Sequence, residues 1–321
     1  MVITIIFIVI GFILLICGAD LLVRGSSNIA KRFHIPEMII GLTIVAIGTS
    51  MPELMITISS GHKGATDLII GNAIGSNLCN LLFILGMTAI LRPLKLDKDV
   101  KTVHLPVAYA STLAILIMGI GLFGSKSGII DSTDGKALVG FYILYFLYPI
   151  IIEIVDIWKT GRENKRTHQK PQINSFVALI FVVVGVVLLK IGGDLVVDEA
   201  SKLAIYFGIS ERVIGLTIVA IGTALPEMVT SVIAVVKDDE GLAVGNLIGS
   251  CILNSFLILG TGAIITPLSF SAEFIEDLIL LAVAILFIWI SCFVGKKDTI
   301  TRYKAGVLLA MFVYYMWSLF K

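Results

Sequence analysis

Long apolar runs separated by short polar segments recur along the whole chain. An apolar run of about 20 residues is long enough to cross a bilayer as a helix. Hydropathy, together with the positions of Gly, Pro and charged clusters, predicts ten such spans. They are residues 2–19, 36–60, 68–90, 103–123, 137–157, 174–193, 212–236, 241–265, 274–294 and 304–320. The fifth and sixth spans are joined by a strongly polar stretch, Trp158–Gln172.

Composition supports a membrane protein. Of the 321 residues, 57% are hydrophobic and 15% are charged, and the mean hydropathy is +1.02. Soluble domains carry about 25% charged residues. We therefore expect an all-α, multi-pass protein of the plasma (inner) membrane. The net charge of +1 says nothing about an acidic partner, and no basic patch interleaved with aromatic residues suggests nucleic acid.

The cysteines and the N-terminus add two expectations. The four cysteines fall in apolar stretches without a CxxC spacing, so we expect buried free thiols. They are Cys17, Cys79, Cys251 and Cys292. No Lys or Arg precedes Arg24, which favours a retained first span over a signal peptide.

The chain contains an internal duplication. Residues 40–49 and 214–223 both read IGLTIVAIGT, at an offset of 174. The same offset aligns the PE pairs at 52–53 and 226–227, GNAIGS at 71–76 with GNLIGS at 245–250, and GADLLV at 18–23 with GGDLVV at 192–197. A constant offset without gaps over a stretch of this length is far outside chance.

The duplication predicts inverted repeats. Each half holds five spans, so the second half must enter the membrane with the opposite orientation, and a substrate site is expected near the midplane where the halves meet. The first repeat covers 1–157, with its most similar part at about 40–93. A connector covers 158–173, and the second repeat covers 174–321, with its most similar part at about 214–267. The 24 Lys and Arg residues lie mostly in loops after odd-numbered spans. This predicts a cytoplasmic connector and two extracytoplasmic termini.

The apolar runs within the most similar parts of the two halves carry a set of oxygen-bearing side chains, and these suggest a cation site. The set is Thr49, Ser50, Glu53, Asn72, Ser76, Asn77 and Asn80 in the first half, and Thr223, Glu227, Asn246, Ser250 and Asn254 in the second. An ionised carboxylate at bilayer depth costs at least about 2.5 kcal/mol. Since no Lys or Arg lies in the apolar runs 40–60, 68–90, 214–236 and 241–265, a bound cation is the simplest counter-charge for Glu53 and Glu227.

Residue spacing and the two prolines favour the same interpretation. Thr49 and Glu53 are four residues apart, as are Thr223 and Glu227, so each pair shares a helix face. Pro52 and Pro226 should break or kink their helices, because proline lacks the N–H and crowds the carbonyl four residues back. Inside a membrane, freed carbonyls are tolerated where protein, water or ions satisfy them.

The oxygen donor set favours hard cations over zinc, copper or iron. Calcium takes six to eight oxygen ligands, and two carboxylates would neutralise it. Mg²⁺ is a weaker candidate because it dehydrates reluctantly. Each glutamate could also be a buried, protonated acid, but two at matched positions make this less plausible. The GNxIGS segments fit helix packing as well as ion binding. Asp20 and Asp194 are more simply interfacial carboxylates near the ends of spans 1 and 6.

The duplicated GT(S/A)xPE and GNxIGSxxxN segments resemble the α-repeats of the calcium/cation antiporter superfamily, in particular its prokaryotic sodium/calcium exchangers. The resemblance covers the whole chain. It implies a core of spans 2, 3, 7 and 8 with four adjoining ion sites, and spans 1 and 6 that slide to switch access. Glu53 and Glu227 would bind Ca²⁺ with the carbonyls of Thr49 and Thr223. Na⁺ would be held by Thr49, Ser50, Ser76, Thr223, Ser250 and the carbonyls of Ala46 and Ala220, while Asn80 and Asn254 would line the middle.

Two departures from the family pattern affect the ion sites. Ala224 stands where the first repeat has Ser50, so one hydroxyl is missing, which could weaken or remake one Na⁺ site. Asn254 stands where some relatives have Asp, which argues against K⁺ co-transport. With two carboxylates, a third Na⁺ would leave a net positive charge, so exchange would be electrogenic.

The function expected is Na⁺/Ca²⁺ antiport, with no cofactor, no covalent chemistry and a site that needs only one chain. An H⁺-coupled Ca²⁺ or cation antiporter is the alternative. Protons should compete at Glu53 and Glu227, because removal from water favours the neutral form of a carboxyl group. An ion channel fits less well, since tight multi-ligand sites bind too strongly for fast conduction. An enzyme is disfavoured because the sequence offers no nucleophile and base pair.

Overall fold

The computed structural model describes residues 2–33, 35–122, 128–160, 172–207 and 220–319, and these ranges are almost entirely helical. Their helices are α1 (Val2–Phe33), α2 (Glu37–Thr49), α3 (Met51–His62), α4 (Thr66–Leu91), α5 (Val100–Ile120), α6 (Ser132–Thr160), α7 (Ser175–Tyr206), α8 (Ala220–Thr223), α9 (Leu225–Val236), α10 (Glu240–Ile265), α11 (Glu273–Ser291) and α12 (Arg302–Ser318). Four two-residue strands accompany them: β1 (Leu94–Lys95), β2 (Ile129–Ile130), β3 (Leu268–Ser269) and β4 (Thr299–Ile300).

The helices match the ten predicted spans. Six of them, α1, α4, α5, α7, α10 and α11, are long and apolar enough to cross a membrane, and the bent pair α2 and α3 would make a seventh. Helices α6 and α12 lie at the fifth and tenth spans, and α8 and α9 cover the described part of the seventh. The protein is thus an all-α membrane protein with the helix order of a ten-span inverted repeat. Most of the predicted connector lies outside the described residues.

Two spans are much longer than predicted. The expected ranges 2–19 and 174–193 correspond to α1 and α7, which each have 32 residues. At 1.5 Å per residue each helix is about 48 Å long, well beyond the roughly 30 Å hydrocarbon core. The predictions ended where hydropathy falls, at Asp20 and Asp194. Both helices continue past these residues because α1 and α7 still pack against each other there, and each Asp forms an ion pair with a residue one turn away, Arg24 and Lys190 respectively.

The chain forms two compact units, and each unit draws segments from both sequence halves. Unit 1 comprises Met1–Met51, Asn164–Asn246 and Tyr314–Lys321, and unit 2 comprises Pro52–Glu163 and Leu247–Val313. Helices α1 and α7 belong to unit 1. Helices α5, α6 and α11 belong to unit 2, as do α4 and the four strands.

Unit 1 is built on an antiparallel contact between α1 and α7. A methyl group on Gly18 would lie 2.8 Å from the Gly185 carbonyl oxygen, and one on Gly192 would lie 2.7 Å from the Gly11 carbonyl oxygen. As residue numbers rise along α1, the facing numbers fall along α7, so the helices run in opposite directions. The sequence offset aligns Gly11 with Gly185 and Gly18 with Gly192. The glycines therefore form a symmetric ladder in which the two backbones touch.

In unit 2, strand pairs and glycine contacts are also related by the internal duplication. β1 pairs with β4, and β3 pairs with β2, both antiparallel. The sequence offset aligns β1 with β3. Likewise, Gly86 of α4 packs against Leu309 of α12, while its equivalent Gly260 in α10 packs against Gly135 of α6. Span 3 thus pairs with span 10 as span 8 pairs with span 5, which is the pattern that an inverted repeat produces.

The burial of the helices separates an interior from a lipid-facing surface. The most apolar stretch of α10 is 94% buried and that of α4 is 72% buried, against 28–39% for α1, α5, α7 and α11. Three of the four free cysteines are buried, but Cys17 is exposed. The expectation of four buried thiols is therefore wrong for Cys17, because the apolar surface of α1 on which it lies faces outward rather than into the protein.

Candidate cation-binding residues

Each half has a helix break two residues before a proline, and the offset of 174 aligns these two prolines, Pro52 and Pro226. The break falls at Ser50, with φ −87° and ψ 11°, and at Ala224, with φ −86° and ψ 1°. Each residue precedes a new helix with Pro52 or Pro226 in its first turn. The prediction that these prolines interrupt their helices is confirmed. In unit 1 the Ala46 carbonyl still accepts the Ser50 N–H at 3.0 Å.

Glu227 is fully buried and is held by polar groups of unit 1. The Ser50 hydroxyl donates to Glu227 Oε1 at 2.8 Å. Glu227 Oε2 has no hydrogen-bond partner among the described residues. Thus the helix break places a hydroxyl from the first half against the carboxylate of the second half, with one carboxylate oxygen left to accept a further ligand.

Asn246 connects several of these groups in unit 1. Its Nδ2 donates to the Ser231 hydroxyl at 3.1 Å and, through a long bond of 3.5 Å, to the Glu227 carbonyl. Its Oδ1 accepts the Thr49 hydroxyl at 3.1 Å. Thr49 also donates weakly to the Ala46 carbonyl at 3.4 Å. Thr49 is fully buried, whereas its equivalent Thr223 is only half-buried.

Glu53 is the matching buried carboxylate in unit 2. Asn72 Nδ2 donates to the Glu53 carbonyl at 3.4 Å, and Asn246 makes the equivalent bond to Glu227 in unit 1. The asparagine of each GNxIGS segment therefore contacts the backbone of the glutamate 19 residues earlier. We did not predict these two contacts from the sequence, although the spacing of 19 residues between glutamate and asparagine is the same in both halves.

Asn80 and Asn254 lie at equivalent positions of the two repeats, each in a π-helical turn. Cys79–Ile84 in α4 and Asn254–Ile258 in α10 are π-helical. Such segments are rare and frequent at functional sites. Both asparagines are fully buried. Neither polar side-chain atom of Asn80, nor Oδ1 of Asn254, has a hydrogen-bond partner among the described residues. The π-helical turns were not predicted, because hydropathy carries no information about local helix pitch.

Further hydroxyl groups line the same helices. Ser76 and Ser250, both predicted ligands, are buried in α4 and α10. Thr57 follows Glu53 by one helical turn and is fully buried, and its Oγ1 has no hydrogen-bond partner among the described residues. Its repeat equivalent, Ser231, accepts the bond from Asn246. Both hydroxyls were missed, although their spacing of four residues from each glutamate was visible.

These groups can bind a desolvated cation. Buried polar atoms without partners are costly, so a ligand that satisfies several at once is stabilised. Within the described ranges, no ion pair involves Glu227, and no group of three or more His, Cys, Asp or Glu side chains is arranged to hold a metal ion. The oxygens therefore come mainly from single carboxylates, hydroxyls and amides, which suit Na⁺ and Ca²⁺ better than transition metals. For Ala220 the structure describes only the backbone, in α8.

Asp20 and Asp194 are engaged by basic side chains. Arg24 Nε lies 2.8 Å from Asp20 Oδ2, and Lys237 pairs with Asp20 Oδ1. Lys190 Nζ lies 2.6 Å from Asp194 Oδ2. Both carboxylates lie within helices of 32 residues, which extend beyond the predicted span ends. Their ion pairs support the interpretation that they are not ion ligands.

Comparison with known proteins gives a family. The family model described as "Sodium/calcium exchanger protein" matches residues 3–151 and 177–321. The match includes both duplicated segments and both buried glutamates.

Individual relatives cover nearly the whole chain. The "Putative antiporter CaxA" of Alkalimonas amylolytica is 33% identical, over 100% of this chain and 99% of the relative. The "Sodium/calcium exchanger MaX1" of Methanosarcina acetivorans is 29% identical, over 97% and 96%. Among solved structures, the sodium-calcium exchanger NCX_Mj soaked with 2.5 mM Na⁺ and 0.1 mM Ca²⁺ superposes with a TM-score of 0.83, 30% identity and 99% coverage of both chains.

Proposed function

Because this chain belongs to the sodium/calcium exchanger protein family, we propose that it exchanges Na⁺ for Ca²⁺ across the membrane by alternating access. The observation that carries the proposal is the environment of Glu227. This carboxylate is fully buried, accepts the Ser50 hydroxyl, and retains an oxygen without a hydrogen-bond partner among the described residues. A carboxylate in that setting is stabilised when a cation binds.

In the proposed site, Glu53 and Glu227 share the Ca²⁺ ion, aided by the carbonyls of Thr49 and Thr223. The duplication supports this pairing, because each half supplies a buried glutamate with an asparagine bonded to its carbonyl. The proposed Na⁺ ligands are Thr49, Ser50, Ser76, Thr223, Ser250 and the carbonyls of Ala46 and Ala220, with Asn80 and Asn254 lining the middle. Since opposed ions use one ligand set, binding of one excludes the other.

The charge of the site supports electrogenic exchange. Two carboxylates balance one Ca²⁺ or two Na⁺. A third Na⁺ on the return step would carry one net positive charge across the membrane. Asn254 is neutral, so it supplies no further negative charge to offset this.

The proposal extends to the arrangement in the membrane. Residues 1–157 and 174–321 act as inverted repeats, with 158–173 as a cytoplasmic connector and both termini outside the plasma (inner) membrane. The bias of Lys and Arg toward loops after odd-numbered spans supports this orientation. The ligands all come from one chain, which supports a functional monomer.

Coupling to Na⁺ is tested directly by flux. The protein is reconstituted in vesicles that contain Na⁺ and, for comparison, in vesicles that do not. Uptake of ⁴⁵Ca²⁺ into both is measured at equal pH on the two sides of the membrane. We expect uptake only with internal Na⁺. Uptake that ignores Na⁺ but follows an imposed pH gradient would assign the driving ion to the proton. A membrane-potential dependence of Na⁺-driven uptake tests electrogenicity.

The glutamates are tested by neutral replacement. Glu53→Gln and Glu227→Gln should each abolish Ca²⁺ transport, because a neutral amide cannot compensate the cation charge. Glu273→Gln, the same change at an exposed position in the first turn of α11, is the matched control and should transport normally. Normal Ca²⁺ uptake by either buried-site variant would refute the two-glutamate site.

A further inference from the structure

Asn77 is a buried polar residue with no role in the proposed ligand set. It lies in α4, three residues before Asn80, and is 2% exposed. Its Nδ2 donates to the Ser255 hydroxyl at 2.9 Å and to the Cys251 carbonyl at 3.2 Å. Its Oδ1 accepts Asn254 Nδ2 at 3.1 Å. All these residues belong to unit 2.

These bonds fix which way the Asn254 amide points. The Cys251 carbonyl can only accept, so the Asn77 atom facing it must be the NH₂ group. The other Asn77 atom is then the oxygen, and the Asn254 atom facing it must donate. Asn254 therefore directs its NH₂ toward Asn77 and its Oδ1 away. That Oδ1 is buried without a hydrogen-bond partner among the described residues.

We infer that Asn77 is a positioning residue that orients Asn254 as an oxygen donor to the transported cation. The inference rests on the proposed function, because Asn254 is a ligand only if the protein binds Na⁺ or Ca²⁺. An amide presents either an acceptor oxygen or a donor NH₂ on a given side. Only the oxygen attracts a cation, so holding the NH₂ on the opposite side preserves the ligand.

The two repeats differ in how their central asparagine is oriented. The repeat equivalent of Asn77 is Cys251, whose thiol lies 3.8 Å from the Asn77 carbonyl oxygen. Neither side-chain atom of Asn80 has a hydrogen-bond partner among the described residues. The amide of Asn254 is therefore oriented by its neighbour, whereas no described group orients that of Asn80. The two central asparagines are thus unequal ligands despite their equivalent positions.

The test measures how replacement of Asn77 affects Ca²⁺ affinity with and without Asn254. Removing a group that orients a metal ligand costs about 10–100-fold in metal affinity. We expect Asn77→Ala to raise the Ca²⁺ concentration for half-maximal uptake about tenfold while maximal uptake changes little. Equilibrium ⁴⁵Ca²⁺ binding to purified protein should weaken equally. In an Asn254→Ala background, Asn77→Ala should have no further effect on affinity.

Controls separate orientation from general damage to the helix contact. Ser255→Ala should keep Ca²⁺ affinity, because the bond to the Cys251 carbonyl alone fixes the Asn77 amide. Asn77→Cys introduces the residue type found at the equivalent position of the second repeat, Cys251. This variant takes the place of Asn77→Ala in the test if Asn77→Ala does not fold. It should weaken Ca²⁺ binding as Asn77→Ala does. Equal losses from the position-77 change in the wild-type and Asn254→Ala backgrounds would overturn the inference.

Failure of the proposed function is distinguishable from failure of the inference. If wild-type uptake is driven by protons rather than Na⁺, the proposed coupling is lost, while the affinity cycle between positions 77 and 254 still tests the orientation. If the wild type exchanges Na⁺ for Ca²⁺ but the two replacements act independently, the inference alone is overturned. A wild-type protein that binds no Ca²⁺ would overturn both.

Discussion

Replacing Gly185 by alanine tests the contact between α1 and α7. A methyl carbon at position 185 would lie 2.7 Å from the Gly18 carbonyl oxygen and 2.7 Å from the Leu22 nitrogen. Ordinary contact begins near 3.4 Å, so the helices must separate by about 0.7 Å. The obstructing atoms are backbone, so no side-chain rotation relieves the overlap.

The expected loss of stability in Gly185→Ala follows from the limited freedom of the backbone atoms to move aside. Overpacking a close contact costs about 1–3 kcal/mol. Alanine in place of glycine in a helix gains up to about 1 kcal/mol where space is available. Gly306→Ala in α12 isolates this gain, because no atom lies within 4 Å of a methyl group there. Because both variants receive this gain, they should differ by the overpacking cost alone, about 1–3 kcal/mol, with Gly185→Ala the less stable.

The assay is thermal unfolding of purified protein in detergent, run side by side for wild type, Gly185→Ala and Gly306→Ala. A stability change of 1 kcal/mol shifts the melting temperature by about 2–4 °C in a domain of 150–250 residues. We expect Gly185→Ala to melt several degrees below wild type and Gly306→Ala to melt at or slightly above it. If both variants melt together, the close backbone contact does not govern packing in unit 1.

Two further predictions concern polar contacts of unit 1. Asn28 Oδ1 accepts the backbone N–H groups of Gln172 at 2.7 Å and Ile173 at 3.2 Å, so Asn28→Ala should cost about 1–3 kcal/mol and speed proteolysis before α7. Asn28→Asp keeps the acceptor oxygens and should be milder, and equal proteolysis of both variants would contradict this. The pair Lys237–Asp20 is about one-third exposed, so a double-mutant cycle on stability should give at most about 1 kcal/mol, falling with salt. A larger, salt-independent coupling would show that the pair is more shielded from water than its exposure indicates.

Local sequence determined a large part of this protein. Composition and apolar run length predicted a helical membrane protein, because a chain in lipid must satisfy its backbone internally. The offset of 174 revealed the duplication. Pro52 and Pro226 predicted the two helix breaks, since proline removes a helical hydrogen bond from its own neighbourhood. The buried glutamates stood out because a charge in an apolar run needs compensation wherever the run folds.

Tertiary structure decided what depends on neighbours from distant parts of the chain. The lengths of α1 and α7 were underestimated because hydropathy falls at Asp20 and Asp194, whereas the two helices continue to pack against each other past these residues. No local pattern shows that Ser50 donates to Glu227, which is 177 residues away. Likewise, the orientation of Asn254 depends on Asn77 of the other half. Hydrogen bonds are directional and short, so only the folded chain determines which of many similar polar groups meet.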